Sequence, residues 1–304
     1  MMKRKPLLIA VVGPTAIGKT ALAIQLAKHF KTVIISADSR QFYKEMSIGT
    51  AVPSQEELAE ATHYFIQHKS IHDSYSVGDF ERDTLGLLDT LFLEHKVVIM
   101  VGGSGMYVDA VVNGMDTFPE VDPKIREFLN KQLADHGIEG LQKQLSELDP
   151  VHFQKVDIHN PQRVIRALEV CLASGQPYSS FLNKHTTTRA FDTLYMGLEA
   201  PREVVYDRIN TRVDVMIQSG LVEEVKSLLP YRNTNALQTV GYRELFAYFN
   251  EQSSLEEAIE EIKKNTRRFA KRQFTWFKRN PQIQWFSYPV QLDEVTSYLK
   301  ERMS

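Results

Sequence analysis

Apolar runs alternate with a helical pattern along the first third of the chain. Three runs are continuously apolar or nearly so, namely LLIAVV, TVIISA and KVVIMV at residues 7–12, 32–37 and 96–101. The segment TALAIQLAKHF, after the first run, has helical spacing. Continuous apolar strands separated by helices are typical of a parallel sheet with both faces covered. The pattern therefore predicts an α/β core.

From Phe118 onward the pattern changes to helices with clear start and stop signals. In DPKIREFLNKQLADHG, Asp122 is a natural N-cap, a proline follows it and Gly137 ends the helix; NPQRVIRALEVCLASG repeats this order with Asn160 and Gly175. TLYMGLEA then returns to strand character, and the remainder is predicted to be mainly helical. We predict a core domain of residues 1–117 and 190–304, interrupted by an all-helical insertion at residues 118–189.

The segment GPTAIGKT, residues 13–20, lies between the first strand and the first helix and fits the pattern G-x-x-x-x-G-K-[ST]. In such a loop the backbone N–H groups surround phosphate oxygens, Lys19 adds a positive charge and the Thr20 hydroxyl can bind Mg²⁺. The motif is common in ATP-binding proteins and predicts a di- or triphosphate without saying which. The expected fold is a P-loop NTPase-like parallel sheet flanked by helices, with the helical insertion.

Three further features are expected near this loop. The second strand ends in SADSRQFY, and parallel sheets bind ligands beyond the carboxyl ends of their strands, so Asp38 is expected there as a metal ligand through water or as a proton acceptor. A turn aspartate is the alternative. VGGSGMY follows a later strand and permits close backbone approach. Arg208 and Arg212 share one helix face and could reach a phosphate, although a solvated face is the commoner outcome.

A long basic helix is predicted near the end of the chain. Ser254 and Glu257 form a capping box before LEEAIEEIKKNTRRFAKRQFTWFKR. Helical spacing directs one set of side chains inward: Ile259, Ile262, Phe269, Ala270, Gln273, Trp276 and Phe277. It directs a set of cations outward: Arg267, Arg268, Lys271, Arg272, Lys278 and Arg279. The helix dipole rewards cations only in the last turn. With Lys263 and Lys264 added, the concentration of charge indicates a polyanionic partner.

Composition narrows the class of protein. The 304 residues carry a formal net charge of -2 with 43% hydrophobic residues, which is typical of a globular protein. No apolar run approaches the roughly 20 residues that span a bilayer, so no membrane partner is expected. The single cysteine, Cys171, rules out an internal disulfide framework and favours a reducing, cytoplasmic location.

Taken together, the motifs resemble those of the bacterial tRNA dimethylallyltransferases (tRNA isopentenyltransferases). The matching segments occur in the family's order from Leu7 to about Arg279: GPTAIGKT, SADSRQFYKEMSIGTAVPS, YSVGDF, VGGSGMY, HNPQRVIRALEV, GLVEEV, TVGYRE and TRRFAKRQFTWFKR. The departures from the family's usual residues are Ile17, Gly78, Ser104 and Met106, and none removes a reactive group.

The resemblance implies transfer of a dimethylallyl group from its diphosphate to the exocyclic amine of the adenosine 3′-adjacent to the anticodon. It implies Asp38 as the general base, with Lys19, Arg212 and Mg²⁺ on Thr20 stabilising the leaving group and Arg208 as a second candidate. The implied diphosphate-binding residues are Gly13, Pro14, Thr15, Ala16, Ile17, Gly18, Lys19, Thr20, Arg208 and Arg212.

The resemblance also implies a tRNA surface, with the helical insertion clamping the anticodon arm and the protein acting as a monomer. The implied tRNA-binding residues are Asp38, Ser39, Arg40, Gln41, Ser104, Arg126, Gln162, Arg163, Arg166, Thr239, Val240, Gly241, Tyr242, Arg243, Lys271, Arg272, Gln273, Trp276 and Lys278. Within this set we expect the cations of the basic helix to contact phosphates, and Trp276 to face the core.

Three alternatives remain open at this point. A P-loop kinase, or an isopentenyltransferase acting on a free adenine nucleotide, would explain the first hundred residues but would leave the basic helix and NPQRVIR without a role. An RNA-binding protein that uses a nucleotide as a switch would explain the basic helix, but Asp38 in DSRQ argues against it by resemblance.

Overall fold

The computed structural model describes residues 5–182 and 188–303. A parallel sheet of six strands lies in the order β3-β2-β4-β1-β5-β6. Its strands are β1 (Leu7–Val12), β2 (Ile34–Ser36), β3 (His63–Tyr64), β4 (Val97–Gly102), β5 (Asp192–Glu199) and β6 (Ile283–Ser287). The α/β class and the parallel sheet flanked by helices, both predicted from the apolar runs, are confirmed.

Thirteen α-helices occur in the described part of the chain. They are α1 (Lys19–Phe30), α2 (Gln55–Glu60), α3 (Val77–Glu94), α4 (Gly105–Asn113), α5 (Pro123–His136), α6 (Glu139–Leu148), α7 (Pro150–Phe153), α8 (Pro161–Ser174), α9 (Arg202–Gln218), α10 (Leu221–Ser227), α11 (Tyr242–Phe249), α12 (Leu255–Phe277) and α13 (Leu292–Met303). As far as the described residues extend, no helix is long and apolar enough to cross a membrane.

The central strand β1 is buried on both faces of the sheet. Leu8, Ala10 and Val12 belong to one apolar cluster, whereas Ile9 and Val11 belong to a second. Successive residues of a strand point to opposite faces, so a run without polar interruption requires cover on both sides. This is the physical reason why LLIAVV reads as apolar throughout. It also places the end of β1, and the loop that follows, at the middle of the sheet's carboxyl edge.

The chain forms two compact units. One comprises Met1–Asn113 and Arg189–Ser304 and contains the sheet; the other comprises Gly114–Thr188. The second unit is built from α5–α8 around a core of its own, in which Leu129, Leu145 and Leu168 are fully buried. The predicted insertion, residues 118–189, includes residues 183–187, and the predicted core includes residues 1–4 and 304; these lie outside the described residues.

Local capping signals in the second unit behave as the sequence predicts. The Asp122 carboxylate accepts from the backbone N–H of Lys124 at 2.9 Å, and the Asn160 side chain accepts from that of Arg163 at 3.3 Å. Gly137 and Gly175 end their helices with positive φ. A side-chain acceptor satisfies an N–H group that has no partner within the helix, which is why these residues fix where α5 and α8 begin.

Two strands were missed by the sequence reading. β3 has only two residues, and β6 replaces part of the region predicted to be mainly helical. Both lie at the edges of the sheet, where one partner strand and partial exposure leave no continuous apolar run. In β6 only Ile283 and Phe286 are buried, and its place is decided by pairing with β5. The basic helix α12 ends at Phe277, two residues before the predicted end.

The capping box of α12 gives a first test. Ser254 Oγ accepts from the N–H of Glu257 at 3.2 Å, and the Glu257 carboxylate accepts from the N–H of Ser254 at 2.8 Å. Ser254→Ala should lower the free energy of unfolding by about 1 kcal/mol, because one N–H of the first turn loses its acceptor. Ser254→Thr keeps the acceptor and should stay close to wild type in the same urea titration. Equal loss in both variants would contradict a capping role.

Candidate functional site

The phosphate loop, residues 13–20, connects β1 to α1 at the carboxyl edge of the sheet. Gly13 and Gly18 adopt φ values of 142° and 102°, which side chains rarely allow. A Cβ on Gly13 would lie 2.7 Å from the backbone oxygen of Leu198 in β5, so the loop packs directly against the neighbouring strand. The glycines of the motif are thus required by the fold as well as by phosphate approach. Ile17 is fully buried, so its side chain packs in the core.

Lys19 lies in a place where a positive charge is costly. Its Nζ donates to the backbone oxygen of Pro14 at 2.7 Å. Burial lowers the pKa of Lys19 to about 7; the negative charge of Asp38 opposes this shift and the positive charge of Arg212 adds to it. A buried ammonium that lacks a full counter-charge is stabilised by an incoming anion. An anionic ligand bound at this loop would therefore stabilise the charged form of Lys19.

Asp38 lies just beyond the end of β2 and lines the same cavity as Thr15 and Arg212. Its Oδ1 also accepts from the backbone N–H of Arg40 at 3.1 Å. Asp38 thus makes the local contact of a turn aspartate and, in addition, faces the phosphate loop. The structure places Asp38 near the loop, as expected, and among the described residues its other carboxylate oxygen, Oδ2, accepts no hydrogen bond.

The two arginines of α9 differ in what they contact. Arg208 donates from Nε to the backbone oxygen of Ala16 at 2.7 Å and from Nη1 to Tyr288 Oη at 2.6 Å. Its guanidinium also lies over the Tyr288 ring. Through its bond to Ala16, Arg208 supports the phosphate loop. Arg212 instead lines the cavity, with Nη1 3.5 Å from Thr15 Oγ1, and burial lowers its pKa. Arg212 is therefore the better placed of the two for an anion in the cavity.

The glycine loop, residues 102–105, follows β4 and touches α12. A Cβ on Gly103 would lie 2.2 Å from Gln273 Nε2, and a Cβ on Gly105 would lie 2.2 Å from the Trp276 ring. The absence of side chains there lets α12 approach the carboxyl edge of the sheet. Ser104, between these glycines, has its Oγ 3.2 Å from both the N–H and the Oγ of Ser39. The loop after β4 is thereby joined to the loop after β2.

These elements enclose a cavity of about 500 Å³. Its polar wall carries Thr15, Asp38, Arg212 and Arg243. Its apolar lining is formed by Met106, Tyr107, Val213, Met216, Leu221, Val240, Ile262, Phe269 and Trp276. A cavity lined by both charged and apolar groups suits a ligand that has an anionic end and a hydrocarbon end.

The structure corrects the assignment of two aromatic residues on α12. Phe269 and Trp276 were predicted to face the core with Phe277, but they are 37% and 39% exposed and line the cavity, whereas Phe277 is buried. Helical periodicity gave the correct side of the helix. It could not show that this side meets a cavity beside the glycine loop rather than closed packing. Trp276 Nε1 donates to Asp109 Oδ2 at 2.8 Å, which fixes the ring at the cavity wall.

Two predicted RNA contacts are buried and have other partners. Tyr242 is fully buried and donates its hydroxyl to Glu224 Oε1 at 2.6 Å. Gln273 is 6% exposed, and both ends of its amide are engaged by backbone groups. Gln41 likewise donates to the backbone oxygens of Thr50 and Ala51. These three side chains position loops, because their polar atoms are already paired inside the protein.

Five further predicted RNA residues of the first unit lie on the cavity, although Gly241 is itself buried. Thr239, Val240, Gly241 and Arg243 line the cavity with Arg40. Arg40 donates to the backbone oxygens of Asn235 and Ala236. The segment before α11 is therefore fastened to the loop after β2.

In the second unit, the predicted residues form one cluster around a buried carboxylate. Arg126 and Arg166 both pair with Glu169, at 3.3 and 3.4 Å, and Glu169 is only 2% exposed. Arg126 also donates to Gln162 Oε1 at 3.0 Å, and Arg163 is exposed beside them. Two arginines around one carboxylate leave a net positive charge on this surface.

The cations of α12 divide into paired and unpaired groups. Lys263 pairs with Asp214 and Glu260, Lys264 with Glu261, and Lys278 with Glu199. Arg267 donates to Asn210 Oδ1. Lys271 and Arg272 are exposed, and within the described ranges neither forms an ion pair. Three of the eight cations counted in the sequence are thus paired with carboxylates, so the helix carries less unpaired positive charge than that count suggests.

One structural residue of the cavity wall was missed. Glu224 accepts from the backbone N–H groups of Ser47, Ile48 and Gly49 at 2.8–3.0 Å, and from Tyr242 Oη. This carboxylate holds the segment that contributes Gly49 to the cavity. GLVEEV, which contains Glu224, was among the segments that resemble the family, but sequence alone gave it no role because its partners are backbone groups.

A phosphate loop on a parallel sheet, beside a half-apolar cavity and a basic helix, defines a phosphate-loop α/β protein. A model of the IPP transferase family matches residues 41–280. Two relatives named tRNA dimethylallyltransferase, from Christiangramia forsetii and Flavobacterium johnsoniae, are 56% and 55% identical over 297 and 302 residues, covering 98% and 97% of this chain and 98% of each relative. The chain therefore belongs to the tRNA dimethylallyltransferase (IPP transferase) family and is a transferase.

Solved structures agree with the fold. The full-length tRNA isopentenylpyrophosphate transferase of Bacillus halodurans is 35% identical, with a TM-score of 0.72, and the match covers 98% of this chain and 96% of that one. A eukaryotic dimethylallyltransferase acting on tRNA is 27% identical, with a TM-score of 0.77, and the match covers 93% of this chain and 74% of that one. The resemblance stated from the motifs, and the P-loop NTPase-like fold it implied, are confirmed.

The lowered pKa of Lys19 predicts a pH dependence of stability. Between about pH 7 and 10.5 the unfolded state holds the Lys19 proton and the ligand-free folded state does not. The free energy of unfolding of the wild-type protein should therefore increase as pH rises through that window. Lys19→Met lacks this contribution, so its advantage over wild type should shrink from pH 7 to pH 10 in denaturant titrations. Parallel pH curves for the two proteins would contradict the burial argument.

Proposed function

We propose that this protein transfers a dimethylallyl group from dimethylallyl diphosphate to the exocyclic amine of the tRNA adenosine 3′-adjacent to the anticodon. The observation that carries the proposal is the cavity that Thr15, Asp38 and Arg212 line together with apolar side chains. The donor has the same division, with an anionic diphosphate and a five-carbon hydrocarbon. A nucleoside triphosphate has no hydrocarbon end to occupy the apolar part.

The phosphate loop would hold the diphosphate as a leaving group. When the allylic C–O bond breaks, its electron pair stays with the diphosphate, and negative charge grows there. Lys19 and Arg212, which are both desolvated by burial, would stabilise that charge. The apolar lining would keep water from the allylic carbon, which water would otherwise attack.

The residues present fit a Mg²⁺ ion shared with the diphosphate. Among the residues that the structure describes, no cluster of three or more His, Cys, Asp or Glu side chains could hold a metal by itself. Mg²⁺ commonly takes one or two protein oxygens together with substrate phosphates and water. Thr20, and Asp38 through water, would supply those oxygens. The ion would neutralise charge on the diphosphate.

Asp38 would act as the general base. The adenine amine forms the new C–N bond to the allylic carbon and must lose one proton, which the Asp38 carboxylate accepts. Its position in the lining of the same cavity as Thr15 of the phosphate loop supports this role, since the base must lie where the amine meets the donor. The turn contact with Arg40 would hold the carboxylate in place during the transfer.

The adenine would enter the cavity from a loop of RNA that has been splayed open, because an amine inside a stack cannot be reached. Lys271 and Arg272, exposed on α12, would contact RNA phosphates. The arginines around Glu169 in the second unit would contact the anticodon arm. We propose a monomer that acts in the cytoplasm.

The deciding assay offers two labelled donors to the same unmodified tRNA. Labelled dimethylallyl diphosphate should yield labelled tRNA, and labelled ATP should yield none. A third reaction with free adenosine monophosphate as acceptor should give no product, because the RNA contacts would be missing. Turnover of ATP without allyl transfer would favour a kinase, and prenylation of the free nucleotide alone would favour the other alternative.

Asp38→Asn tests the base. The amide keeps the size of the side chain and an acceptor for the Arg40 N–H but cannot take a proton at neutral pH. Single-turnover transfer should fall by about 100-fold or more, while the dissociation constant for tRNA should change by less than about twofold. Asp192→Asn, on the exposed first residue of β5, is the matched control. Undiminished transfer in Asp38→Asn would remove it as the base.

Lys271 and Arg272 test the RNA surface. Replacing both with glutamine should weaken tRNA binding and should reduce the slope of log K against log salt by about 1–2, because up to two phosphate contacts are lost. The control replaces Lys28 and Lys226 with glutamine, which removes the same charge from exposed positions on α1 and α10. If both double variants weaken binding equally, the effect is one of net charge and the proposed contacts are wrong.

A further inference from the structure

Gln273 makes two hydrogen bonds that join three elements of the site. Its Oε1 accepts from the backbone N–H of Thr15 at 2.8 Å, and its Nε2 donates to the backbone oxygen of Gly103 at 3.0 Å. The side chain reaches from α12 to the phosphate loop on one side and to the glycine loop on the other. A buried amide with both ends engaged is held in one orientation, because either loss leaves an unpaired buried group.

The bond to Thr15 acts on a peptide plane that also holds Lys19. The N–H of Thr15 and the oxygen of Pro14 belong to the same peptide unit, and that oxygen accepts from Lys19 Nζ at 2.7 Å. Because a peptide unit is planar, fixing its N–H fixes the direction of its carbonyl. Gln273 therefore controls the orientation of the acceptor on which the Lys19 ammonium rests.

Thr15 extends the connection to a cation of the cavity, Arg212. Its Oγ1 lies 3.5 Å from Arg212 Nη1, so the residue that Gln273 holds also borders the guanidinium. Lys19 and Arg212 are the cations assigned to the diphosphate. Lys19 contacts residue 14 and Arg212 lies beside residue 15, and Gln273 hydrogen-bonds the peptide between these two residues.

We propose that Gln273 is a positioning residue for the diphosphate site and does not serve as an RNA contact. It holds the Pro14–Thr15 peptide, and through it Lys19, in the orientation that receives the anion. This inference rests on the proposed function for the identity of the anion. Its neighbours Lys271 and Arg272 are both exposed and remain the proposed RNA residues of this part of the helix, although Arg272 also lines the cavity.

A substitution at Gly103 offers an independent test of the contacts made by Gln273. Its Cα stands so close to the amide that a Cβ would lie 2.2 Å from Gln273 Nε2, whereas the nearest atom outside Gln273 would be the Gly13 oxygen at an ordinary 3.7 Å. Gly103→Ala should therefore displace Gln273 and little else. Its effect should vanish when the Gln273 side chain has already been shortened.

The first experiment measures binding of inorganic diphosphate with Mg²⁺, and of tRNA, by calorimetry. Gln273→Met has a similar shape but no hydrogen bonds, and it should weaken diphosphate binding by about tenfold with tRNA binding unchanged within about twofold. Phe277→Leu, which alters the buried face of α12 one turn later, is the control for lost stability and should bind diphosphate normally. Weaker tRNA binding with normal diphosphate binding in Gln273→Met would overturn the proposal, as would no change in either.

The second experiment is a double-mutant cycle on diphosphate affinity. Gly103→Ala should weaken binding in the wild-type background and should have almost no further effect in Gln273→Ala, because contacting residues are not additive. Additive losses would overturn the proposed connection. A wild-type protein that binds diphosphate but transfers no allyl group would contradict the proposed function, while these binding comparisons would still decide the role of Gln273.

Discussion

The close approach of α12 to the carboxyl edge of the sheet is the constraint on which the site depends. Gly103 and Gly105 have no Cβ atoms, and any side chain at either position would collide with Gln273 or Trp276. Because the helix comes this close, one of its faces reaches the phosphate loop and the cavity. The same helix carries exposed cations, Lys271 outside the cavity lining and Arg272 within it. Under the proposed function, this one helix would serve both an anionic small ligand and a polyanion.

The electrostatics beside the phosphate loop form a second constraint. Lys19 and Arg212 lie where burial lowers the pKa of each, and Asp38 offsets only part of that cost. The protein maintains these charges by packing and by backbone acceptors such as the Pro14 oxygen, at the expense of stability without a ligand. A site prepared in this way gains from binding an anion, since the ligand supplies the missing counter-charge. Stability and function oppose each other here, as is common at active sites.

Much of the fold could be predicted from local patterns. The continuous apolar strands gave the parallel sheet, and Asp122, Asn160 and Ser254 fixed helix starts because each satisfies an N–H group within its own helix. The edge strands could not be predicted in this way. β3 and β6 have too few buried residues to produce a pattern, and their existence depends on pairing with β2 and β5.

The sequence by itself determined the phosphate loop, the basic helix and the family resemblance, because these depend on residues adjacent in the chain or at fixed helical spacing. Only the tertiary structure decided which atoms those residues contact. Trp276 faces a cavity, and Tyr242 donates a hydrogen bond to Glu224. Gln273 accepts a hydrogen bond from the loop whose Pro14 oxygen contacts Lys19. Tyr242 and Glu224 are 18 positions apart, and Gln273 and Thr15 are 258 positions apart. The contact at Thr15 is to a backbone N–H group, which side-chain patterns do not encode.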